Sequence, residues 1–230
     1  TLTGNIGNDA INGSDGDDLL SGGKGDDTIN GSYGNDSYIF NFGDGQDTYY
    51  DFTGTDQIVF GAGITAADIQ LISDYANNYS LLIKIGSGGD QIRLNSFFYN
   101  TNNNYKIETL KFADGSTINL GNGVILQGSN SAGETLQGTI YNDTLTGNIG
   151  NDAINGSDGD DSITGGLGDD TINGGNGNDI YYFNLGDGAD TYNDNFGTDQ
   201  IVFGAGITAA DIQLISNYAT NYSLLIKIGT

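Results

Sequence analysis

The run GNIGNDAIN, GSDGDDLLS, GGKGDDTIN, GSYGNDSYI, residues Gly4–Ile39, is one nine-residue phrase written four times. Each copy opens on glycine and sets Asp at its sixth place: Asp9, Asp18, Asp27 and Asp36. An apolar residue follows two places later: Ile11, Leu20, Ile29 and Tyr38. A second run, Gly138–Tyr182, holds five more copies, with Asp143, Asp152, Asp161, Asp170 and Asp179 in step with Leu145, Ile154, Ile163, Ile172 and Tyr181. A tight turn and a three-residue strand repeated in fixed register predict a parallel β-solenoid. Asp near Gly forms Asx-turns without any ligand. Turn chemistry alone, however, does not require nine aligned copies.

The residue types point to metal chemistry. Glycines at the first and fourth places (Gly4, Gly7, Gly13, Gly16, Gly22, Gly25, then Gly147, Gly150, Gly156, Gly159, Gly165, Gly168) let the backbone turn with its carbonyls facing one centre. Asp supplies a short, hard oxygen ligand suited to Ca²⁺. Two phrases make one coil, so turns eighteen residues apart stack on the same edge. The stacked pairs are Asp9 with Asp27, Asp18 with Asp36, Asp143 with Asp161, Asp161 with Asp179, and Asp152 with Asp170. Each pair, with its backbone carbonyls, is a candidate Ca²⁺ site, which sets the expectation at about five ions or more.

Composition narrows the chemistry. Of 30 acidic residues only Glu108 and Glu134 are glutamate, and the net charge is −24 with 39 glycines. Self-repulsion and backbone entropy both oppose folding of such a chain, so metal binding and folding are expected to be one event. Nucleic acid is excluded as an electrostatic partner. Cys and His are absent, which removes disulfides, the usual zinc ligands and most nucleophile–base pairs. No carboxylate pair stands apart from the array as a general acid and base, so no enzyme activity is expected within these residues. No apolar run reaches membrane-spanning length and no signal peptide opens the chain. The start in mid-phrase without Met reads as a segment of something longer.

A longer repeat encloses the short one. Residues 1–87 align without a gap to 144–230 at an offset of 143, with about four positions in five identical. DQIVFGAGITAADIQLIS occurs verbatim at Asp56–Ser73 and Asp199–Ser216. Within a unit the phrase gives way to SYIFNFGDGQDTYYDFTGTDQIVF (Ser37–Phe60), where Tyr38, Phe40 and Phe42 predict a longer strand covering the last coil. The matching residues are Tyr181, Phe183 and Leu185. The GDGxD turns make Asp47 and Asp190 candidates for a final ion site.

Beyond Phe60 an ordinary β pattern begins, with a short helical turn in GITAADIQLIS. LLIKI (Leu81–Ile85) with QIRL (Gln91–Leu94), and IETLKF (Ile107–Phe112) with STINL (Ser116–Leu120), read as hairpins of a small antiparallel sandwich or barrel-like cap. Asn100–Asn104 reads as a polar loop and Gly121–Thr135 as a connection into the next roll. There Glu134 takes the carboxylate place of a decayed phrase, so an ion between it and Asp152 is expected to be weak or missing. The expected fold is all-β, with right-handed parallel β-roll segments alternating with small antiparallel capping domains. The boundaries are roll 1–51, cap 52–127, roll 128–195 and a partial second cap 196–230. LLIKI at Leu224–Ile228 lacks the partners that follow its first copy, so a neighbouring chain or the next segment is expected to complete that edge.

On these motifs the chain resembles the RTX (repeats-in-toxin) calcium-binding proteins of bacteria, at Gly4–Ile39 and Gly138–Tyr182. Residues Asp56–Leu120 resemble the haemolysin-type calcium-binding-related domain. The resemblance implies export by type I secretion, disorder in the low-calcium cytosol, and folding outside the cell. Two host roles follow as expectations. One is a calcium-loaded structural unit of a large secreted adhesin, surface-layer or fibre-like protein, partnered by neighbouring copies or the rest of its chain. The other is a folding and secretion module of a toxin or exoenzyme. Exposed Tyr33, Tyr49, Tyr50, Phe97, Phe98 and Tyr99 could contact glycans, although packing of the cap accounts for them more simply.

Overall fold

A three-residue strand cannot pair with its chain neighbour across so short a turn, so each finds its partner one coil away. The computed structural model describes residues 1–99, 106–128, 133–194, 196–217 and 223–228. In the first roll, Leu2–Ile6, Leu19–Lys24, Ser37–Phe40 and Gln57–Phe60 pair in parallel, in that order, as one sheet. Ala10–Asn12, Thr28–Asn30 and Gln46–Tyr50 form the other. The second roll repeats this. Ile125–Gln127, Thr144–Ile149, Ser162–Leu167, Ile180–Phe183 and Gln200–Phe203 build one sheet. Thr135–Gln137, Ala153–Asp158, Thr171–Asn176 and Thr191–Asn193 build its partner. Alternate phrases fall in alternate sheets, as two phrases per coil require. The fold is the all-β roll expected from the repeat, followed by antiparallel strands.

The apolar eighth places stack between the two sheets. Leu20, Tyr38, Ile58 and Leu110 are in register in one sheet, and Ile29, Tyr49 and Leu94 in the other. None of these is more than 2 % exposed. Each such side chain contributes about 2 kcal/mol by leaving water, so the core is one narrow apolar column per roll. So thin a core is weak for its length, which leaves the edges of the coil to decide stability.

Coil length changes at the end of each roll. Thr28 pairs with Thr48 and Ser37 with Gln57, a step of twenty residues in place of eighteen. The two extra residues enter where the Asn41 N–H and side-chain amide donate to Asp44 Oδ2 at 2.7 and 3.1 Å, closing a local turn. That turn ends the strand at Phe40. Tyr38 and Phe40 are buried as expected, whereas Phe42 is half exposed and Leu185, its counterpart, is too. The alternation that suggested an inward Phe42 does not survive the turn.

The strands after Phe60 do not stand apart as a sandwich. Both hairpins are present, Ser80–Ile85 with Asp90–Leu94 and Thr109–Lys111 with Thr117–Asn119. Yet Asp90–Leu94 also pairs in parallel with Gln46–Tyr50, and Thr109–Lys111 in parallel with Gln57–Phe60. Each roll sheet thus runs on into the antiparallel strands. The open N–H and C=O groups of the last coil demand partners, and a detached sandwich would leave them bare. Ile83, Ile85, Ile92, Phe97 and Phe112 close the apolar end. The helical turn expected in GITAADIQLIS is a single 3-10 turn, Ala66–Asp68, which Asp68 caps by accepting from the Thr65 N–H at 2.9 Å.

In the second copy, Ile212–Asn217 and Ser223–Ile228 form a two-stranded antiparallel sheet. The loop at Asn100–Asn104 lies outside the described residues, as does part of the Gly121–Thr135 connection. The strands after the first roll touch the second roll where the Gln137 N–H donates to Ser73 Oγ at 3.1 Å. Among the described residues no helix is long and apolar enough to cross a membrane.

Candidate metal sites

The sixth-place aspartates form ladders along the edges of both rolls. In each step one carboxylate oxygen accepts the backbone N–H of the aspartate one coil back. The Asp9 N–H donates to Asp27 Oδ1 and the Asp18 N–H to Asp36 Oδ1, both at 2.8 Å. Asp143 to Asp161, Asp152 to Asp170 and Asp161 to Asp179 repeat this at 2.7 to 2.8 Å. All five pairs read from the eighteen-residue spacing are therefore neighbours in space. One oxygen of each carboxylate is spent on holding the coils in register.

The other oxygen is the informative one. Oδ2 of Asp9, Asp27, Asp36, Asp152, Asp161, Asp170 and Asp179 is buried and has no hydrogen-bond partner. Leaving an anionic oxygen out of water without a counter-charge costs several kcal/mol, so each such atom calls for a cation. The first-place glycines supply the rest of the cradle. A methyl group at Gly4 would lie 2.5 Å from Asp9 Oδ2 and 2.6 Å from the Gly22 carbonyl oxygen. Gly13, Gly22, Gly147, Gly156 and Gly165 face their own aspartates in the same way. The fourth-place glycines Gly7, Gly16, Gly25, Gly150, Gly159 and Gly168 all take positive φ. Carboxylate and carbonyl oxygens around one point are the donor set of a hard cation such as Ca²⁺, and the residues present fit it. Gly165→Ala should therefore weaken calcium-driven ordering about tenfold, because the methyl displaces Asp170 Oδ2. A calcium titration followed by circular dichroism checks this, an unchanged midpoint refuting it.

Four sequence-selected aspartates differ from this pattern. Asp18, part-exposed at the open end of the first roll, has the N-terminal ammonium 3.9 Å away. Asp143 Oδ2 accepts from the Thr139 N–H at 2.5 Å, and Lys106 lies close enough to act on Asp143 electrostatically. The Lys106 ammonium, itself buried, sits 5.7 Å over the Tyr141 ring. Asp47 and Asp190 continue the ladders, each accepting an N–H on Oδ1, but their Oδ2 atoms accept from the Tyr49 and Tyr192 hydroxyls at 3.2 Å.

Other residues join the ladders without having been singled out. Asp56 and Asp199 accept from the Asp36 and Asp179 N–H groups at 2.6 and 3.1 Å, and Glu108 in turn accepts from Asp56 at 2.7 Å. Glu134, expected to be a weak place, is seated like its neighbours: its N–H donates to Asp152 Oδ1 at 2.7 Å and its carboxylate faces Gly128. The fifth places, always Asn or Asp, make a second, exposed ladder. Asn8 accepts from Asp26, Asp17 from Asn35, and Asn151 from Asp169, at 2.8 to 3.1 Å. That constancy was visible in the repeat, but only stacking shows that those side chains are used by backbone amides.

Burial works against the charge on the ladders. It pushes Asp161 up to about 8 and Asp47 up to about 7, with backbone hydrogen bonds pulling the other way. Asp36, Asp152, Asp170 and Asp179 are raised for the same reason. Metal-free, these sites hold protons near neutrality more readily than an exposed carboxylate would.

Two family models match the chain. The RTX calcium-binding nonapeptide repeat matches at residues 3–38, 12–49, 129–162, 147–181 and 155–192, and the haemolysin-type calcium binding protein related domain at 81–121. The chain is an RTX calcium-binding repeat protein. Its repeats are calcium-binding structural units of a secreted protein. No curated protein matches this RTX chain by sequence. Among solved structures it is similar to the extracellular lipase LipA from Serratia marcescens, at 20 % identity and a TM-score of 0.35, over 95 % of this chain and 37 % of that one. The RTX segment thus spans well under half of the lipase's length.

Proposed function

We propose that this RTX segment is a non-catalytic, calcium-loaded structural unit of a large extracellular protein, of adhesin, surface-layer or fibre-like type. In this reading calcium is held between stacked turns by Asp9, Asp18, Asp27, Asp36, Asp143, Asp152, Asp161, Asp170 and Asp179 with the first-place glycine carbonyls, giving about five ions or more. The observation that carries it is the near-identical duplication of residues 1–87 at an offset of 143, between whose copies the strands after the first roll extend its sheets and touch the second roll. A rod is built by repeating a unit that buries its ends against its neighbours. Its proposed parts are roll 1–51, cap 52–127, roll 128–195 and partial cap 196–230, with Gln57–Phe60, Ile125–Gln127 and Gln200–Phe203 of the cap segments each adding a strand to the adjoining roll. A glycan-binding role loses two of its aromatics, since Tyr49 and Phe97 are buried in the core.

Small-angle scattering of chains carrying two, three and four 143-residue units tests this reading. In millimolar calcium the maximum dimension should grow by a constant increment per unit, and in EDTA that linear growth should give way to the shallower length dependence of an unfolded coil. Compact growth, with the dimension rising as the cube root of mass, would overturn it.

A further inference from the structure

The coil that closes the first roll departs from the phrase at one informative place. Framed on Asp56, it reads DFTGTDQIV (Asp51–Val59), with Asp51 where the nonapeptide copies carry glycine. The first place of the phrase faces the sixth-place carboxylates, so Asp51 adds an anion where two already meet. Asp36, Asp51 and Asp56 each bring one carboxylate oxygen within 4.8 Å of the others. All three are at least nine-tenths buried, at 1 %, 6 % and 1 % exposure, and the Oδ2 atom of each has no hydrogen-bond partner. The charges acting on Asp36 are those of Asp56, Asp18 and Asp17, all of its own sign.

The third carboxylate is held in position. The Tyr38 hydroxyl accepts the Gly31 N–H at 2.9 Å and shares its proton between the Tyr50 carbonyl at 2.7 Å and Asp51 Oδ1 at 2.9 Å. Asp51 Oδ2 is thereby left facing the other two. Glu108 closes the cluster from beyond by accepting the Asp56 N–H. Neither Asp51 nor Asp56 lies within a stretch matched by either family model.

We propose that Asp36, Asp51 and Asp56 form a three-carboxylate cation site at the end of the first roll, taking Ca²⁺ more tightly than the two-carboxylate steps along the ladders. The inference rests on the calcium-binding reading and adds a site to it. More carboxylates at a site raise Ca²⁺ affinity, and burial among like charges leaves a cation, or a proton shared by Asp51 and Asp56, as the occupant. The second unit repeats the arrangement with Asp179, Asp194 and Asp199, where the Tyr181 hydroxyl bonds Asp194. There Asp194 and Asp199 are exposed. Solvent competes for that copy, which should be the weaker of the two.

The test starts from the calcium-loaded 230-residue chain. It is dialysed against buffers of falling free calcium, and bound ions are counted per chain. One ion should persist to free calcium about tenfold lower than the others require. Asp51→Asn should release that ion with the rest, while Asp194→Asn and Asp114→Asn, the latter in a hairpin turn, should retain it. If Asp51→Asn keeps the ion at unchanged affinity, the proposal is overturned and the pair holds a proton instead. Binding of no calcium by the unaltered chain would sink the underlying reading rather than this addition alone. Should Asp51→Asn fail to order in millimolar calcium, Tyr38→Phe makes the same test with all three carboxylates kept. A severalfold loss of the tightest ion supports the site, and no change overturns it.

Discussion

Transferred from millimolar calcium into EDTA at neutral pH, the chain should lose its β signal and expand severalfold in hydrodynamic volume. The magnitude follows from mass action. An extracellular calcium module binds at roughly 10⁻⁴–10⁻³ M, so calcium at ten times that constant adds about 1.4 kcal/mol per ion. Five ions then contribute about 7 kcal/mol, comparable to the whole stability of an ordinary domain. Against this stand a net charge of −24 and the buried, unpartnered carboxylate oxygens of the ladders, both of which favour the open chain once the cation is gone.

The residues that matter most should be the interior rungs. The Asp161 N–H donates to Asp179 while its Oδ1 accepts from Asp143, so it borders two steps. Asp161→Ala and Asp27→Ala should each raise the calcium midpoint by about tenfold to a hundredfold. Asp114→Ala, in an exposed hairpin turn where Asp114 accepts from Ser116, should leave it within experimental error. Circular dichroism during a calcium titration measures all three. A chain that stays ordered in excess EDTA would falsify the account.

Without calcium, acid should promote order and alkali should abolish it. Burial raises Asp47 to about 7 and Asp161 to about 8 from an ordinary 3.8, and raises Asp51 as well, where the Asp56 carboxylate beside it adds to burial. A carboxyl raised in the folded state makes that state bind more protons than the unfolded chain does. Its stabilising contribution is complete below about pH 4 and is lost as pH rises through about 7 to 8. With calcium present the sign reverses, because proton and cation compete for the same oxygens. Calcium affinity should then rise from pH 5.5 to pH 9. Paired titrations in EDTA and in calcium would show the two slopes. Parallel slopes would mean that the raised carboxylates are not where the ion sits.

Much of the fold is legible because the repeat is redundant. Nine aspartates and nine apolar residues in one frame leave a single coil length that keeps both on their proper sides, and the eighteen-residue stacking follows. The same redundancy located the five carboxylate pairs. It failed where the frame was broken. Two extra residues near Asn41 move the carboxylate places to Asp47 and Asp56, so Asp51 and Asp56 read in sequence as irregular acids rather than as rungs. Glu108 is fifty-two residues from the Asp56 N–H it receives, a separation no periodicity spans.

Local chemistry thus dictated the coil, its glycines and the sense in which side chains alternate, since each depends only on residues a few places apart. Partners were settled in three dimensions. Asp47 finds a tyrosine hydroxyl and Asp143 finds Thr139 in addition to their ladder neighbours, and the later hairpins attach to the roll instead of closing on themselves. The physical reason is that an unsatisfied oxygen or strand edge takes whichever donor the folded chain brings within about 3 Å, and sequence distance does not enter that choice.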